Sequence, residues 1–319
     1  MNNNESIEEI KKKLRQDETA RELTKKCLKL SIEEGQKEFV YFFLSLLEKD
    51  LPEDALCCAI GTCCDIKIVE MLLEAGADVH ACVDRALRDA AENGHIEVVK
   101  MLLEVGADVH AWYDEALRKA AKKGHKEVVK ILLEAGAEVH AEDDDALREA
   151  VKNGHKEVVE MLLEAGADVH ACSEQALRGA VEKGHKEVVE MLINAGADVH
   201  ICNNLVLRKA AAKGYKGVVE MLLEAGADVH IWEDDALQEA AKNGHKEVVE
   251  VLLNAGADIY TCGGQALREA AENGHKEVVE VLLNAGADVQ EWVYKAFIYA
   301  ASRGHFEVAK ILLKAEEDF

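Results

Sequence analysis

"ALREAVKNGHKEVVEMLLEAGADVHA", Ala146 to Ala171, decides the architecture, because the chain writes this phrase again and again. Near copies begin at Ala86, Ala116, Ala176, Ala236 and Ala266, with looser ones at Val206 and Ala296. Gly-His recurs at 94, 124, 154, 184, 244, 274 and 304, Gly214-Tyr215 fills the remaining slot, and the period is 30 residues. A second glycine keeps step at Gly76, Gly106, Gly136, Gly166, Gly196, Gly226, Gly256 and Gly286. A fixed period of this length marks a stack of supersecondary units.

The letters of one unit say what it is. Asp144 suits an N-cap, Leu147, Ala150 and Val151 recur at helical spacing, and Gly154 supplies a left-handed residue to end the helix. "KEVVEMLLEA" then predicts a second helix with Val158, Val159, Leu162 and Leu163 on its apolar stripe, closed by Gly166. One such helix pair cannot bury its apolar face alone. Stacked copies make a continuous core, and alanines such as Ala120, Ala150 and Ala180 let neighbouring helices approach closely.

Composition agrees with a soluble, helix-rich chain: 319 residues, 49% apolar, 31% charged and a single proline, Pro52. Length alone suggests two domains, but repetition lets a stack grow in one dimension. A net charge of −24 would repel phosphate backbones and anionic lipid, so neither nucleic acid nor membrane is an expected partner. "FVYFFLSLL", Phe39 to Leu47, is too short to span a bilayer and reads as a buried helix. The opening "MNNNESIEEIKKKL" lacks the apolar core of a secretion signal, which predicts a cytoplasmic protein. Nine cysteines, an odd number without framework spacing, read as free thiols used as small hydrophobes.

"GHKEVVEMLLEAGADVHA" resembles the second half of an ankyrin repeat, and the likeness extends over about residues 55 to 314. It implies an all-α, ankyrin-type helix-loop-helix solenoid. The usual period is about 33 residues with a Thr-Pro-Leu-His start; here "ALR" replaces that start and three residues are missing where the family extends its β-hairpin finger. The hairpin loops should therefore be short and blunt. This short form is similar to ankyrin arrays of giant viruses and intracellular microbes, in which case the location would be the host cytosol. The expected division is an N-terminal helical cap with a degenerate repeat (1–54), the array (55–293) and a C-terminal capping repeat (294–319). Ser6 to Gln16 reads as a charged, solvent-facing helix within the first part.

The chain can be compared with itself. Core alanines, valines and leucines barely vary, whereas the loop before each first helix does. Its first position holds Cys82, Trp112, Glu142, Cys172, Cys202, Trp232, Cys262 and Trp292, so all three tryptophans of the chain fall in one row. A second variable row follows the first-helix arginine: Asp89, Lys119, Glu149, Gly179, Lys209, Glu239, Glu269 and Tyr299. The resemblance implies that both rows line the concave side. Tryptophan and tyrosine are enriched at binding hot spots. Trp112, Tyr113, Trp232, Trp292, Tyr294 and Tyr299 are accordingly the expected partner-binding anchors, with Lys119 and Lys209 tuning selectivity. The bland alternative has the tryptophans packing against the next repeat's loop and only bracing the turn.

Other ladders read as structure. All thirteen histidines lie in two repeat rows, and the resemblance implies that the Gly-His imidazole bonds backbone between turns. Protonating every one would move the net charge from −24 to −11, one unit per histidine, so binding could respond to pH near 6. Arg88, Arg118, Arg148, Arg178, Arg208 and Arg268 form a row expected to pair with Asp78, Asp108, Glu138, Asp168, Asp198, Asp228, Asp258 and Asp288; the alternative is an arginine stripe gripping an acidic partner. "CCAIGTCC" (Cys57, Cys58, Cys63, Cys64) lacks the CxxC pairs of a zinc site and reads as small thiols in a cap repeat. No catalytic motif, metal or cofactor is expected. The sequence thus points to a monomeric, non-enzymatic scaffold that binds another protein; the alternative is a stable, consensus-like scaffold with no specific partner.

Overall fold

The computed structural model describes residues 3–48, 50–62, 64–230, 235–259, 263–287 and 289–317. Twenty-one helices and no strand occur among these residues. The chain forms two compact units, residues 1–167 and 168–319. Each is a succession of helix pairs.

The repeat formed by helices Ala111–Lys123 and Lys126–Glu134 shows why the sequence folds this way. Leu117, Ala120 and Ala121 on the first helix, and Val128, Val129 and Leu132 on the second, are fully buried. Each such valine or leucine removes apolar surface worth about 1.5–3 kcal/mol from water. Gly124, at φ 77°, ends the first helix. Its N–H donates to Ala121 O at 3.2 Å and that of His125 to Ala120 O at 3.0 Å, the paired bonds that satisfy the last carbonyls.

His125 fixes the stagger between repeats. Its Nε2 lies 2.9 Å from the main-chain oxygen of Glu92 in the preceding repeat. The imidazole covers Gly94 so closely that a Cβ there would meet Nδ1 at 2.7 Å. His155 over Gly124, His245 over Gly214 and His275 over Gly244 repeat the arrangement, and Tyr215 takes the same place over Gly184. The bridging role implied for the Gly-His imidazole is what these bonds perform.

The short period is accommodated in the loop. In the first unit the chain enters three first helices through successive non-glycine residues in left-handed geometry: Cys82–Asp84, Trp112–Asp114 and Glu142–Asp144, with φ between 51° and 58°. Such a conformation costs roughly 1–2 kcal/mol per residue. A buried carboxylate offsets it. Asp114, only 4% exposed, accepts from His110 Nδ1 at 3.1 Å and from the Glu138 N–H of the next repeat at 2.8 Å. Asp84 does the same with His80 and the Asp108 N–H. Asp144 therefore corrects the sequence reading. The N-cap position falls to His140, and Asp144 is a buried member of this row, with His140 Nδ1 at 3.1 Å from its carboxylate. Without a hairpin, the turn winds left-handed and aims its last carboxylate inward.

At the N-terminal end, Asn3–Gln16 buries Leu14 and leaves its charged residues largely exposed. Helix Lys37–Leu47, expected to be buried, is buried on one face only. It buries Val40, Leu44, Leu46 and Leu47 but exposes Phe39, Tyr41 and Phe42, because neighbouring helices cover one face only. Among the described residues no helix is long and apolar enough to cross a membrane.

Candidate partner-binding surface

Trp112 and Tyr113 stand side by side on a left-handed turn, where consecutive side chains splay outward. Tyr113 is 70% exposed and Trp112 more than half exposed. Arg118 holds the turn from inside: its Nη2 donates to Trp112 O and its Nε to Tyr113 O, both at 3.2 Å, while Nη1 reaches Asp145 at 3.1 Å. Arg88 of the preceding repeat lies 5.5 Å from the Trp112 ring centroid and pairs with Glu115. Trp112 thus has one face on a cation and the rest toward solvent.

In the second unit, Trp292, Tyr294 and Tyr299 share helix Val289–Ser302. Tyr294 is 60% exposed and Tyr299 is also open. Trp292 is half-buried, and its ring covers Gly264 of the preceding repeat so tightly that a Cβ there would lie 2.3 Å from Cγ. Trp292 thus braces the preceding repeat with its ring while staying partly open to solvent. Lys295 Nζ sits 4.3 Å from the Trp292 ring centroid, and the Arg268 guanidinium 5.8 Å from that of Tyr299. Arg268, Trp292, Lys295, Ile298 and Tyr299 line one open cavity of about 450 Å³. Trp232 lies outside the described residues.

Lys119 and Lys209 are engaged within the array. Lys119 Nζ lies 3.0 Å from Glu92 and Lys209 Nζ 3.1 Å from Glu182, each bridging adjacent repeats. The row arginines also differ from expectation. Three of them reach a carboxylate 27 residues ahead at the start of the next first helix, Arg88 with Glu115, Arg118 with Asp145 and Arg208 with Asp235, while Arg148 pairs with Asp145 on its own helix. The anticipated row (Asp78, Asp108, Asp168, Asp198, Asp228) instead accepts the N–H two residues on, closing its own turn. Arg88, Arg118 and Arg268, which the sequence offered only as an arginine row, stand beside these aromatics, and Lys295 and Ile298, not singled out by sequence, line the same cavity as Arg268.

The ankyrin repeat family, described as ankyrin repeats (3 copies), matches in overlapping blocks at 28–112, 87–173, 147–231, 177–262, 207–291 and 237–319. The chain belongs to the ankyrin repeat family. A search of curated proteins finds no match. Among solved structures, the ankyrin array is similar to the human ASB11 ankyrin repeat domain, with 30% identity and TM-score 0.54, over 62% of this chain and 96% of that one. An ankyrin repeat domain from Acinetobacter baumannii aligns with 34% identity and TM-score 0.48, over 54% of this chain and 98% of the other. Ankyrin repeats are generally protein–protein interaction modules and non-enzymatic scaffolds.

The chemistry-bearing side chains of this ankyrin array sit mainly in structural rows. Burial pushes the Cys57 thiol up to about 11, and burial also raises that of Cys58. Cys63 lies outside the described residues, and among those described no three His, Cys, Asp or Glu side chains group to hold a metal. Glu174, hydrogen-bonded to His170, raises that imidazole above its ordinary range. Burial lowers His95.

Proposed function

We propose that the chain is a non-enzymatic interaction scaffold that binds another protein through its loop and first-helix face. Trp112 and Tyr113 are the anchors of one unit; Trp292, Tyr294 and Tyr299 are those of the other, and Trp232 is an expected further anchor. The observation that carries this reading is the exposure of Trp112, Tyr113, Tyr294 and Tyr299 in the variable stretch before each first helix and in the variable row after its arginine position, in otherwise near-identical repeats. Large, stiff aromatics lose little conformational entropy on docking and dominate interface energetics. A cytosolic monomer, with residues 55–293 as the array between terminal units 1–54 and 294–319, belongs to the same proposal.

One observation favours the second reading, a stable scaffold without a specific partner. Lys119, Lys209 and Trp292 are all used between repeats. Affinity capture from lysate of the source cell or its host separates the two. The parent chain should retain a protein that a variant with Trp112, Tyr113, Tyr294 and Tyr299 changed to alanine loses. Equal capture by both would refute the assigned surface, and capture by neither would favour the inert scaffold.

A further inference from the structure

Three consecutive turns of the first unit are built alike, so their side chains stand in register. Cys82–Asp84, Trp112–Asp114 and Glu142–Asp144 all run through left-handed geometry with φ between 51° and 58°. The third residue of each turn is buried, and the first two face solvent. Along the stack the exposed pairs read Cys82-Val83, Trp112-Tyr113 and Glu142-Asp143: apolar, aromatic, acidic. Glu142 is the only acid at the first loop position of the eight repeats, and it follows Trp112 directly in that row. The arginines nearby are engaged within the array. Arg88 lies against the Trp112 ring and pairs with Glu115, while Arg118 holds the carbonyls of Trp112 and Tyr113 and reaches Asp145. Arg148 donates to the main-chain oxygen of Glu142 and to Asp145. Among the described residues no cation pairs with the Glu142 carboxylate, whose side chain points to solvent.

We propose that Trp112, Tyr113 and Glu142 receive an arginine side chain of a partner polypeptide, with an apolar side chain of the same segment against Val83 and Tyr113. The array itself holds a guanidinium in this way: Arg88 bears on the Trp112 ring and pairs with the Glu115 carboxylate at once. A partner's guanidinium finds the same two groups again in the exposed aromatic pair and the Glu142 carboxylate of the next repeat. Its planar fork pairs with a carboxylate and its face stacks on an aromatic ring, a combination that no neutral side chain offers. Asp143 beside Glu142 adds negative charge, and on a chain of net charge −24 the wider field draws a cationic segment in and repels an acidic one. Consecutive first helices lie about 8–10 Å apart, which extended chain covers in about three residues. The arginine and the apolar residue of the partner therefore stand about three positions apart. This assignment rests on the interaction-surface reading above and names the chemistry of one part of it.

The test uses the full chain and two probes, N-acetyl-Leu-Gly-Gly-Arg-amide and its citrulline counterpart, which keeps the shape of arginine without the charge. Each is titrated at low salt and followed by the Trp112 indole resonance, which a Trp112→Phe variant assigns. The arginine peptide should bind about tenfold more tightly than the citrulline peptide and shift that resonance. Glu142→Gln alters one exposed side chain, so it should keep the melting temperature of the parent while abolishing the preference. Equal binding of the two peptides, binding of neither, or a preference that survives Glu142→Gln would overturn the proposal. A partner lost by the aromatic-to-alanine variant but kept in full by Glu142→Gln would leave the interaction surface standing and refute the arginine site alone.

Discussion

The Asp114 carboxylate accepts the main-chain N–H of Glu138 at 2.8 Å, tying a left-handed turn in one repeat to the turn of the next. Removing it leaves a buried N–H without an acceptor and unties His110. Asp114→Ala should destabilise the protein by about 1–3 kcal/mol, the usual cost of an unmade buried bond. Asp114→Asn, which keeps an acceptor oxygen, should cost less. Urea unfolding of both variants measures this, and an alanine variant as stable as the parent would show that the turn needs no such anchor.

Two glycines with similar backbones separate conformational strain from packing. Gly106, at φ 96°, has open space where a Cβ would go, whereas a Cβ on Gly124, at φ 77°, would meet His155 Nδ1 at 2.5 Å. Gly106→Ala should cost about 1 kcal/mol, the left-handed penalty alone. Gly124→Ala should cost distinctly more, because the imidazole that bonds Lys122 O must move. Similar losses in the two variants would show that the histidine yields without penalty.

Two histidines should pull the pH dependence of stability in opposite directions. Burial lowers His95 below its ordinary 6.5, so the unfolded chain binds more protons near and below that pH. Its contribution is complete above 6.5 and is lost as pH falls through the lowered value. Glu174 raises His170, so that pair's contribution is complete below 6.5 and is lost as pH rises through the raised value. His95→Gln should flatten the loss of stability on acidification, and His170→Gln should remove stability on the acidic side only. Urea midpoints between pH 5 and 8 test both, and parallel profiles for parent and variants would contradict the assignment.

The fold was legible because the core stripe must recur wherever the helices stack. Val128, Val129 and Leu132 are recognisable in any one copy and are fully buried. Pairing between repeats was less legible. An arginine's partner depends on the stagger of consecutive first helices, which sets a 27-residue reach that row-by-row comparison does not reveal. Asp144 resembled an N-cap because its position before the helix suited one; burial and a left-handed turn gave its carboxylate a different task. The exposure of Tyr113 could be anticipated from the variability of its loop, but the seating of Trp292 on Gly264 needed the contact itself.

Thiol chemistry should follow burial. Cys82 is exposed, whereas Cys57 is buried with its thiol raised to about 11. At pH 7.5 iodoacetamide should label Cys82 rapidly and Cys57 only after denaturant is added, since the thiolate is the reacting form. Peptide mapping by mass spectrometry reads both sites. Early labelling of Cys57 would mean that the cap repeat around helix Ala55–Thr62 opens readily.

Gly264 occupies the row that carries Asp84, Asp114 and Asp144 in the first unit, and its missing side chain makes the seat for Trp292. A Cβ there would lie within 2.3–2.5 Å of three ring carbons, too close for the indole to remain. Gly264→Ala should therefore eject Trp292 toward solvent, shifting its fluorescence to the red in a chain whose other two tryptophans are phenylalanine. Stability should fall by about 1–3 kcal/mol from the overpacking. An unshifted emission with unchanged stability would mean that the ring is not seated on Gly264.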